Sequence, residues 1–538
     1  GGLVMKTKLT VEQLQIVQGN NGLKRYLESL LEGKDYTPRS WLYEDQDANS
    51  VLEAWLKKLE PLRNGSTFEA NVFQFDTSQL EKWGPQGGVA PISELYESLI
   101  LPSFKETPNS ESVFTTDAWK EAKSKALRQL NRIVGNETLR PATYDRVYDD
   151  MRARDVIESN SGWPDFTRRS KPEVRAAAIK AAEDGSWKTY PAIILFRNYN
   201  LKTRPVWMYP MAVNLVEGSF YQPLYAALSG AKTHTNSHRR TYLTFFSPWR
   251  GFEDCRAAVT AYYGWKYYLS ASDFTATDEH FRWETTQEVY DVLKHLFQRK
   301  YWDSFYESLY YMHHIPLIIG PDEMETGPHG VSSGSNWTNF IETIFDLILS
   351  EYVGIMTKGN TKGLYGIGDD IAWYSCEYDP KLPETLEKIG KGVGQVINSS
   401  KTTNEPDKVK SLQRLFQRGY VLNDSLRNVR AVYSTIRALK SSIYPERFHD
   451  PRKWSSDMFC ARQFMILENC KDHPLFEDFV KFICKGSEHL VPFAKKTASE
   501  LDRITRESKL LPGLNATYNQ EKRNSSLAQF ESIKIART

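Results

Sequence analysis

Two acidic clusters and one glycine-rich segment, in a fixed order along the chain, constrain most strongly what this sequence can fold into. Asp273-Phe-Thr-Ala-Thr-Asp278 comes first, Gly330-Val-Ser-Ser-Gly-Ser-Asn-Trp-Thr338 follows, and Gly368-Asp369-Asp370 comes last. Two metal ions that assist phosphoryl transfer are held by carboxylates that separate strands bring together. The order therefore predicts a fold in which the strand before Asp273 lies beside the strands that flank Asp369.

The residues around these clusters carry patterns typical of strands and helices. Trp265 to Leu269 has the pattern of a buried strand that ends at the first acidic cluster, and residues 361–376 are typical of a hairpin with Gly-Asp-Asp at its tip. Large apolar residues between them repeat at helical spacing, namely Ile341, Ile344, Phe345, Ile348 and Tyr352. The last two dozen residues are polar with little periodicity, which favours a flexible tail.

The acidic residues predict a two-metal site for nucleotidyl transfer. We predict that Asp273, Asp369 and Asp370 are catalytic and bind two Mg²⁺ ions, or Mn²⁺ ions, about 3.5–4 Å apart. One ion would activate an attacking 3′-hydroxyl group and the other would steady the leaving pyrophosphate. The alternative for Gly-Asp-Asp taken alone is a plain hairpin turn, where both residue types are favoured.

The residues that follow Asp273, and the glycine-rich loop, predict contacts to a nucleotide. A carboxylate at Asp278 can accept a hydrogen bond from a ribose 2′-hydroxyl group, although an Asp that starts a helix would look the same. Small residues in the loop allow its backbone to approach a nucleotide closely. We predict that the loop residues involved are Ser333, Gly334, Thr338 and Asn339. Taken alone, this is also an ordinary Ser/Gly loop.

Basic residues predict where phosphate groups would bind. Lys202 and Arg204 are two apart, so on a strand they face the same side, and with Arg197 they could hold a triphosphate. Lys401 could protonate the departing pyrophosphate. A third group, predicted to contact RNA, consists of Ser161 and Gly162 in a turn and of Lys408, Lys410 and Arg414. The alternative for the cations is a solvated basic face.

Composition sets broad limits on the function. At 538 residues, the chain can form roughly three or four lobes or one large multi-lobed body. A formal net charge of +2 neither supports nor excludes RNA binding, because basic residues can line a channel while acidic ones cover the exterior. None of the five cysteines forms a Cys-x-x-Cys pair, which argues against a zinc site and favours free thiols in a reducing compartment. No apolar run reaches the length of a membrane span, so we expect no membrane partner.

These clusters resemble the ordered motifs of viral RNA-dependent RNA polymerases over roughly residues 159–420. In detail, His329-Gly-Val-Ser-Ser-Gly-Ser-Asn-Trp-Thr-Asn339 and Tyr365-Gly-Ile-Gly-Asp-Asp370 look like the picobirnavirus enzymes, with partitivirus polymerases next. The matching segments are Ser159 to Pro164 for motif G, Arg197 to Arg204 for motif F, Asp273 to Asp278 for motif A, Gly330 to Glu342 for motif B, Leu364 to Asp370 for motif C, Lys401 within motif D and Lys408 to Phe416 near motif E.

The resemblance implies an α+β fold, mainly helical around an antiparallel palm sheet, built as a closed right hand with fingers, palm and thumb. It implies an N-terminal region and fingers in residues 1–255, palm with motif A in 256–282, a fingers insertion in 283–328, palm with motifs B to E in 329–425, and thumb with a C-terminal tail in 426–538. The implied activity is RNA-dependent RNA synthesis for viral genome replication and transcription, with primer-independent initiation.

The implied partners are an RNA template and nascent RNA, ribonucleoside triphosphates, Mg²⁺ or Mn²⁺, and a viral capsid protein. The implied location is the virion interior in the host cytoplasm. One departure stands out: many relatives carry Asn or Asp four residues after the motif B threonine, where this chain has Glu342. This puts in doubt the usual hydrogen bond to the sugar-sensing Asp278, and Asn339 could take part instead.

Two other functions remain open from the sequence. A reverse transcriptase shares the palm, but such enzymes usually carry a bulky residue where Asp278 stands and do not place glycine at the Gly368 position. A non-catalytic, capsid-associated RNA-binding protein could keep a palm without its chemistry, and the intact Asp273, Asp369 and Asp370 argue against it.

Overall fold

The structure is a computed structural model that describes residues 5–107, 111–135, 137–153, 159–230, 244–508 and 526–538. Three β-sheets lie among many helices. No helix in these ranges is both long and apolar enough to cross a membrane.

Helices start where the sequence offers caps for their free backbone N–H groups. The side chains of Thr10, Asn20, Asp47 and Ser66 each accept a bond from the N–H three residues later. In chain order, the helices are Val11–Gln18, Asn21–Ser29, Ala48–Leu59, Thr67–Thr77, Ile92–Leu95, Leu101–Phe104, Glu111–Phe114, Asp117–Val134, Tyr144–Ala153, Pro172–Asp184, Met211–Leu228, Ser247–Arg250, Phe252–Gly264, Thr277–His280, Trp283–Leu293, Trp302–Met312, Trp337–Met356, Leu382–Gly392, Thr435–Ile443, Ser456–Glu468, Phe476–Lys485, Leu490–Ala494, Ala498–Ser508 and Glu531–Ala536.

The strands form one central sheet and two flanking sheets. They are β1 Met5–Lys8, β2 Ala192–Tyr199, β3 Lys202–Met208, β4 Tyr268–Thr275, β5 Leu317–Ile318, β6 Glu323–Thr326, β7 Thr361–Ile367, β8 Asp370–Ser375, β9 Val396–Ile397, β10 Thr403–Asn404, β11 Lys408–Ser411, β12 Arg414–Gln417 and β13 Val432–Tyr433. The central sheet, which we call the palm sheet, has the antiparallel order β10-β4-β8-β7, with β9 also paired to β4. The others have the orders β1-β6-β5-β2-β3 and β11-β12-β13.

The predicted hairpin over residues 361–376 is present as β7 and β8. The strand before Asp273 was predicted too early, because Trp265 instead caps the helix Phe252–Gly264 and is 65% exposed. Lys266 then takes a left-handed φ of 67°, so the strand begins only after this turn and runs through Asp273. The acidic residue therefore lies within β4 rather than beyond its end.

The buried residues fall into separate clusters that do not follow chain order. The helix Trp337–Met356 lies against the palm sheet and contributes ten of its 20 residues to one buried cluster. A second cluster joins the N-terminal helices Ala48–Leu59 and Thr67–Thr77 to helices after residue 430. The N-terminal segment thus packs against the C-terminal part of the chain.

The flexible tail expected for the last two dozen residues is wrong for the part that the structure describes. Residues 509–525 lie outside the described residues, but Leu527 and Ile533 are completely buried and belong to the second cluster. Apolar residues are few here, so the short helix Glu531–Ala536 left little periodicity to detect. Glu468 anchors its first turn by accepting from the N–H of Glu531 at 2.9 Å.

Candidate active site

The palm sheet places the predicted metal ligands side by side. Asp273 on β4 lies directly opposite Asp370 on β8, so their Cα atoms are about 4.5–5.5 Å apart. Asp369 lies in the turn between β7 and β8, exposed at its tip. Gly368 has a φ of +56°, which favours glycine, and its N–H donates to Thr343 Oγ1 at 3.0 Å. The fold therefore brings together the carboxylates that the sequence separates.

The electrostatics of these carboxylates suit a cation. Burial, followed by repulsion from Asp369 and Asp273, raises the pKa of Asp370 to about 7. Desolvation in the cleft also raises the pKa of Asp369 and of Asp273. Clustered oxygen donors that repel one another are the ligand set that Mg²⁺ or Mn²⁺ accepts.

Nevertheless, no three His, Cys, Asp or Glu side chains in the described ranges are grouped closely enough to bind one ion as they stand. Metal binding at Asp273, Asp369 and Asp370 stays a prediction. The residues present fit such an ion by charge and by donor type.

Asp278 lies at the start of the short helix Thr277–His280, beneath the motif B loop. The N–H of Val331 donates to the carbonyl of Asp278 at 3.0 Å, and a Cβ on Gly330 would lie 2.3 Å from the same oxygen. Glycine is therefore needed for the loop to approach. The Asp278 carboxyl group interacts with the buried Glu342 carboxyl group and contributes to raising the pKa of Glu342 well above its ordinary value.

The motif B residues divide into exposed and internal ones. Ser333 and Asn339 are exposed, and Asn339 Oδ1 accepts from the Trp249 indole N–H at 3.2 Å. Thr338 is buried, and its hydroxyl group donates to the carbonyl of Ser332. Gly334 packs against β3, where an added Cβ would lie 1.8 Å from the carbonyl oxygen of Trp207. Ser333 and Asn339 are thus accessible to a nucleotide, whereas Thr338 and Gly334 shape the loop.

The basic residues of motif F separate into two groups. Lys202 and Arg204 are both exposed on β3, and their charges lower the pKa of Asp369 from the value that burial alone would give. Arg197 lies opposite Arg204 on β2, but it is already paired with Glu446, with Nε–Oε1 at 2.7 Å. The structure therefore points Lys202 and Arg204 at the acidic cluster and ties Arg197 to the C-terminal part of the chain.

Lys401 lies near Asp273, as its predicted role requires. It ends the short 3₁₀ turn Ser399–Lys401, and the N–H of Asn398 donates to the carbonyl of Asp273 at 2.9 Å. Its charge lowers the pKa of Asp273 against the effect of burial. Lys401 is exposed and can reach a bound phosphate group.

The basic residues predicted to contact RNA differ in their exposure to solvent. Lys410 is exposed on β11, and Lys408 on the same face donates to Asn71 Oδ1 at 3.1 Å. Arg414 is only 2% exposed and stacks its guanidinium over Phe252 and Tyr433, at 4.3 and 5.1 Å from the ring centroids. The structure therefore argues against the RNA contact predicted for Arg414, because all four residues of β12 are buried and this side chain lies in the core.

The motif G turn is built into the fold. Ser161 is 3% exposed, and its hydroxyl group accepts from the N–H of Thr167 at 3.2 Å. Its side chain stabilises the turn and is not available to RNA, which corrects the prediction for Ser161. Gly162 has a φ of +67°, and a Cβ there would lie 2.5 Å from the carbonyl oxygen of Tyr209. An RNA contact by Gly162 stays a prediction.

Sequence reasoning missed two residues that support the site. Glu217 is buried in the helix Met211–Leu228 and accepts from the Asn336 N–H at 3.0 Å and from the Ser335 hydroxyl group, so it anchors the motif B loop. Burial raises its pKa to about 7. Lys82, from the N-terminal segment, lowers the pKa of Asp273. The sequence signal available for Glu217 was a single acidic residue in an otherwise apolar helix. Lys82 had no comparable signal in the sequence.

Comparisons with known proteins agree with this architecture. The chain is 25% identical over 506 residues to a potential RNA-dependent RNA polymerase of human picobirnavirus (strain Human/Thailand/Hy005102/-), covering 87% of this chain and 86% of the relative. The crystal structure of the RNA-dependent RNA polymerase of a human picobirnavirus matches with a TM-score of 0.77 and 22% identity, covering 98% of each chain.

The crystal structure of an insertion-loop deletion mutant of the RNA-dependent RNA polymerase of a human picobirnavirus also matches, with a TM-score of 0.77 and 22% identity, covering 98% of this chain and 99% of that chain. No protein-family model matches the chain. The likenesses confirm the predicted resemblance to picobirnavirus polymerases and the predicted α+β right-hand fold.

Proposed function

We propose that this chain, which resembles picobirnavirus polymerases in sequence and in fold, is an RNA-directed RNA polymerase. It would add ribonucleotides to the 3′ end of an RNA strand copied from an RNA template. The observation that carries the proposal is the pairing of Asp273 with Asp370 beside Asp369, beneath the cations Lys202 and Arg204. The potential polymerase function named for the similar picobirnavirus protein supports the same assignment.

Asp273, Asp369 and Asp370 would hold Mg²⁺ or Mn²⁺. When bound, the metal ions would lower the pKa of the attacking hydroxyl group and offset charge on the phosphates. Lys202 and Arg204 would bind the triphosphate, since both charges act on Asp369. Lys401 would give a proton to the departing pyrophosphate, and Asp278 would accept a hydrogen bond from the ribose 2′-hydroxyl group.

The biological setting is proposed from the same likeness. A polymerase of this type would replicate and transcribe a viral genome, start synthesis without a primer, and work with a capsid protein inside the virion in the host cytoplasm. A template RNA and a nascent RNA would be its macromolecular ligands. Synthesis from single-stranded RNA without any primer tests the initiation step directly.

The proposal is tested by substituting the carboxylates. Asp273→Asn and Asp369→Asn should each lower RNA synthesis at least about 100-fold, because an amide binds Mg²⁺ poorly and several kcal/mol of transition-state stabilisation are lost. RNA affinity, measured by filter binding, should stay within about twofold of wild type. Asp303→Asn, at an exposed position, is the matched control.

The same assay separates the alternatives. With labelled ribonucleotides and deoxynucleotides offered in parallel, preferential incorporation of deoxynucleotides would favour a reverse transcriptase. RNA binding with neither substrate incorporated would favour a non-catalytic binding protein. Near-normal synthesis by either carboxylate variant would overturn the assignment of the site.

A further inference from the structure

Three segments that are distant in sequence meet beside the acidic cluster. The N–H of Gly87 donates to the carbonyl of Asn198 at 2.9 Å, and the Asn200 N–H donates to Gln86 Oε1 at 3.0 Å. Gln86 Nε2 in turn donates to the carbonyl of Tyr444 at 2.6 Å. The N-terminal segment therefore joins the tip of the β2–β3 hairpin to the end of the helix Thr435–Ile443.

Two of these segments bring cations to this junction. The N-terminal segment supplies Lys82, at the end of the 3₁₀ turn Ser78–Lys82, and the helix Thr435–Ile443 supplies Arg437 and Lys440. We call these three residues the junction cations. Their charges act on one another: Arg437 lowers the pKa of Lys82, and both lower the pKa of Lys440. Lys82 also interacts with Arg204 and with Asp273, so the cluster borders the proposed active site.

The junction cations lack close counter-charges. No carboxylate among the described residues lies within 4.0 Å of their charged nitrogens, although Glu81 and Asp273 attract Lys82 from further away. Lys440 is only 3% exposed, and its ammonium group donates to the neutral Asn200 Oδ1. A buried amine that meets only an amide and two other cations is driven to lose its proton, and an anion bound nearby would keep it charged.

The pKa of Lys440 agrees with the lack of a close counter-charge. Burial, followed by the charges of Arg437 and Lys82, lowers its pKa to about 7. Burial also lowers the pKa of Lys82. An anion at the junction would reverse these shifts, because an opposite charge favours the protonated amine.

We propose that Lys82 and Arg437, backed by the buried charge of Lys440, extend the Lys202–Arg204 face into a binding site for a polyphosphate. This rests on the proposed polymerase function, which supplies two sources of that chemistry: the triphosphate of an incoming nucleotide and the pyrophosphate that leaves. A compact, multiply charged anion suits a cluster in which one cation is buried behind the others. An RNA backbone spreads its charges along a strand and would be better served by a row of exposed cations.

The site places Lys82 and Arg437 as binding residues and Lys440 as a positioning residue that acts through them. Without an anion, the three like charges repel one another. With a polyphosphate bound, the N-terminal segment and the helix Thr435–Ile443 would share one ligand.

Direct binding of inorganic tripolyphosphate tests the proposal without any RNA synthesis. In isothermal titration calorimetry on the full chain, Lys82→Ala and Arg437→Ala should each weaken binding about tenfold or more, since a charge-assisted contact is lost. Lys82→Arg should keep most of the affinity. Lys58→Ala, which removes an exposed lysine from the same N-terminal segment, is the matched control and should bind like wild type.

Two further measurements distinguish the sources and the rival ligand. A raised KM for nucleotides identifies the incoming triphosphate, and a raised inhibition constant for pyrophosphate identifies the leaving group. Unchanged tripolyphosphate affinity in Lys82→Ala and Arg437→Ala would overturn the proposal, and so would an equal loss of affinity for single-stranded RNA. Because tripolyphosphate binding needs no catalysis, a chain that binds it but makes no RNA would contradict the polymerase function and leave this site standing.

Discussion

At the scale of single residues, Glu342 stands where many of the polymerases that this chain resembles carry Asn or Asp, and it interacts with Asp278. Burial, followed by the charge of Asp278 and their shared hydrogen bond, raises the pKa of Glu342 well above its ordinary value. Two carboxyl groups can share a hydrogen bond only if one carries a proton, so the pair holds a proton between its two members. A proton held by the pair offsets the repulsion between the two carboxyl groups.

This pair leads to a prediction on sugar choice. Asp278→Ala should lower the preference for ribonucleotides, measured as kcat/KM for a ribonucleotide divided by kcat/KM for its deoxynucleotide, by about ten- to a hundredfold. The reason is that the 2′-hydroxyl group loses its hydrogen bond to a charged acceptor. Glu342→Gln should keep the wild-type ratio, since an amide also donates to Asp278. Asn339→Ala should show part of the Asp278→Ala effect. A wild-type ratio in Asp278→Ala would return Asp278 to a helix-start role.

At the scale of elements, the motif B loop is held between the motif A turn and β3. Gly330 lies against Asp278 and Gly334 against Trp207, so the loop touches both with no room for a side chain. Glu217 holds the loop in place by accepting hydrogen bonds from the Ser335 hydroxyl group and the Asn336 N–H. The loop therefore sets the spacing between the β2–β3 hairpin, which carries Lys202 and Arg204, and the palm sheet.

Gly334→Ala should push this hairpin away from the loop. We expect a loss of about 1–3 kcal/mol of stability from overpacking, together with a raised nucleotide KM because Lys202 and Arg204 move with β3. Thermal unfolding and steady-state kinetics measure the two effects. Gly264→Ala is the control, since nothing lies within 4 Å of a Cβ there. A wild-type KM and melting temperature in Gly334→Ala would contradict this prediction, because the loop would then move to accommodate the added methyl group without loss of stability.

The C-terminal helix Glu531–Ala536 is an element with a structural role. Ile533→Ala should lower the free energy of unfolding by about 2–5 kcal/mol, because a fully buried side chain leaves a cavity. The exposed neighbour Lys534→Ala should change it by less than about 0.5 kcal/mol. Equal melting temperatures for the two variants would restore the interpretation of this segment as a flexible tail.

These elements show what the sequence could and could not predict. The β7–β8 hairpin and its carboxylates were predictable because their signals are contiguous in sequence. Arg414 was misplaced because a cation on a strand can face solvent or stack on aromatic rings, and its partners Phe252 and Tyr433 lie far away in sequence. Lys82 could not be found because only the tertiary fold brings it near Asp273. Contacts of this kind carry no local pattern.

At the scale of the whole molecule, the N-terminal segment and the C-terminal helices share one core. Asp76 is completely buried and accepts hydrogen bonds from the Ser434 and Thr435 hydroxyl groups and from the Ile436 N–H. His473 also contacts Asp76, with Nε2–Oδ2 at 2.8 Å. A chain segment that precedes every recognised motif thus stabilises the packing of the C-terminal helices.

This shared core predicts that damage near the N-terminus will loosen the C-terminal helices. Trp55 is completely buried, and its indole N–H donates to Thr435 Oγ1 at 2.8 Å. Trp55→Ala should cost about 3–5 kcal/mol and speed amide hydrogen exchange in the helix Ser456–Glu468. Exchange in the helix Trp337–Met356 should change little, because that helix belongs to a different cluster of buried residues. Trp265→Ala, at a position 65% exposed, is the matched control. Equal acceleration of exchange in both helices would contradict the prediction, because the molecule would then unfold as one unit. Unchanged exchange in both helices would also contradict it, because the N-terminal segment would then not stabilise the C-terminal helices.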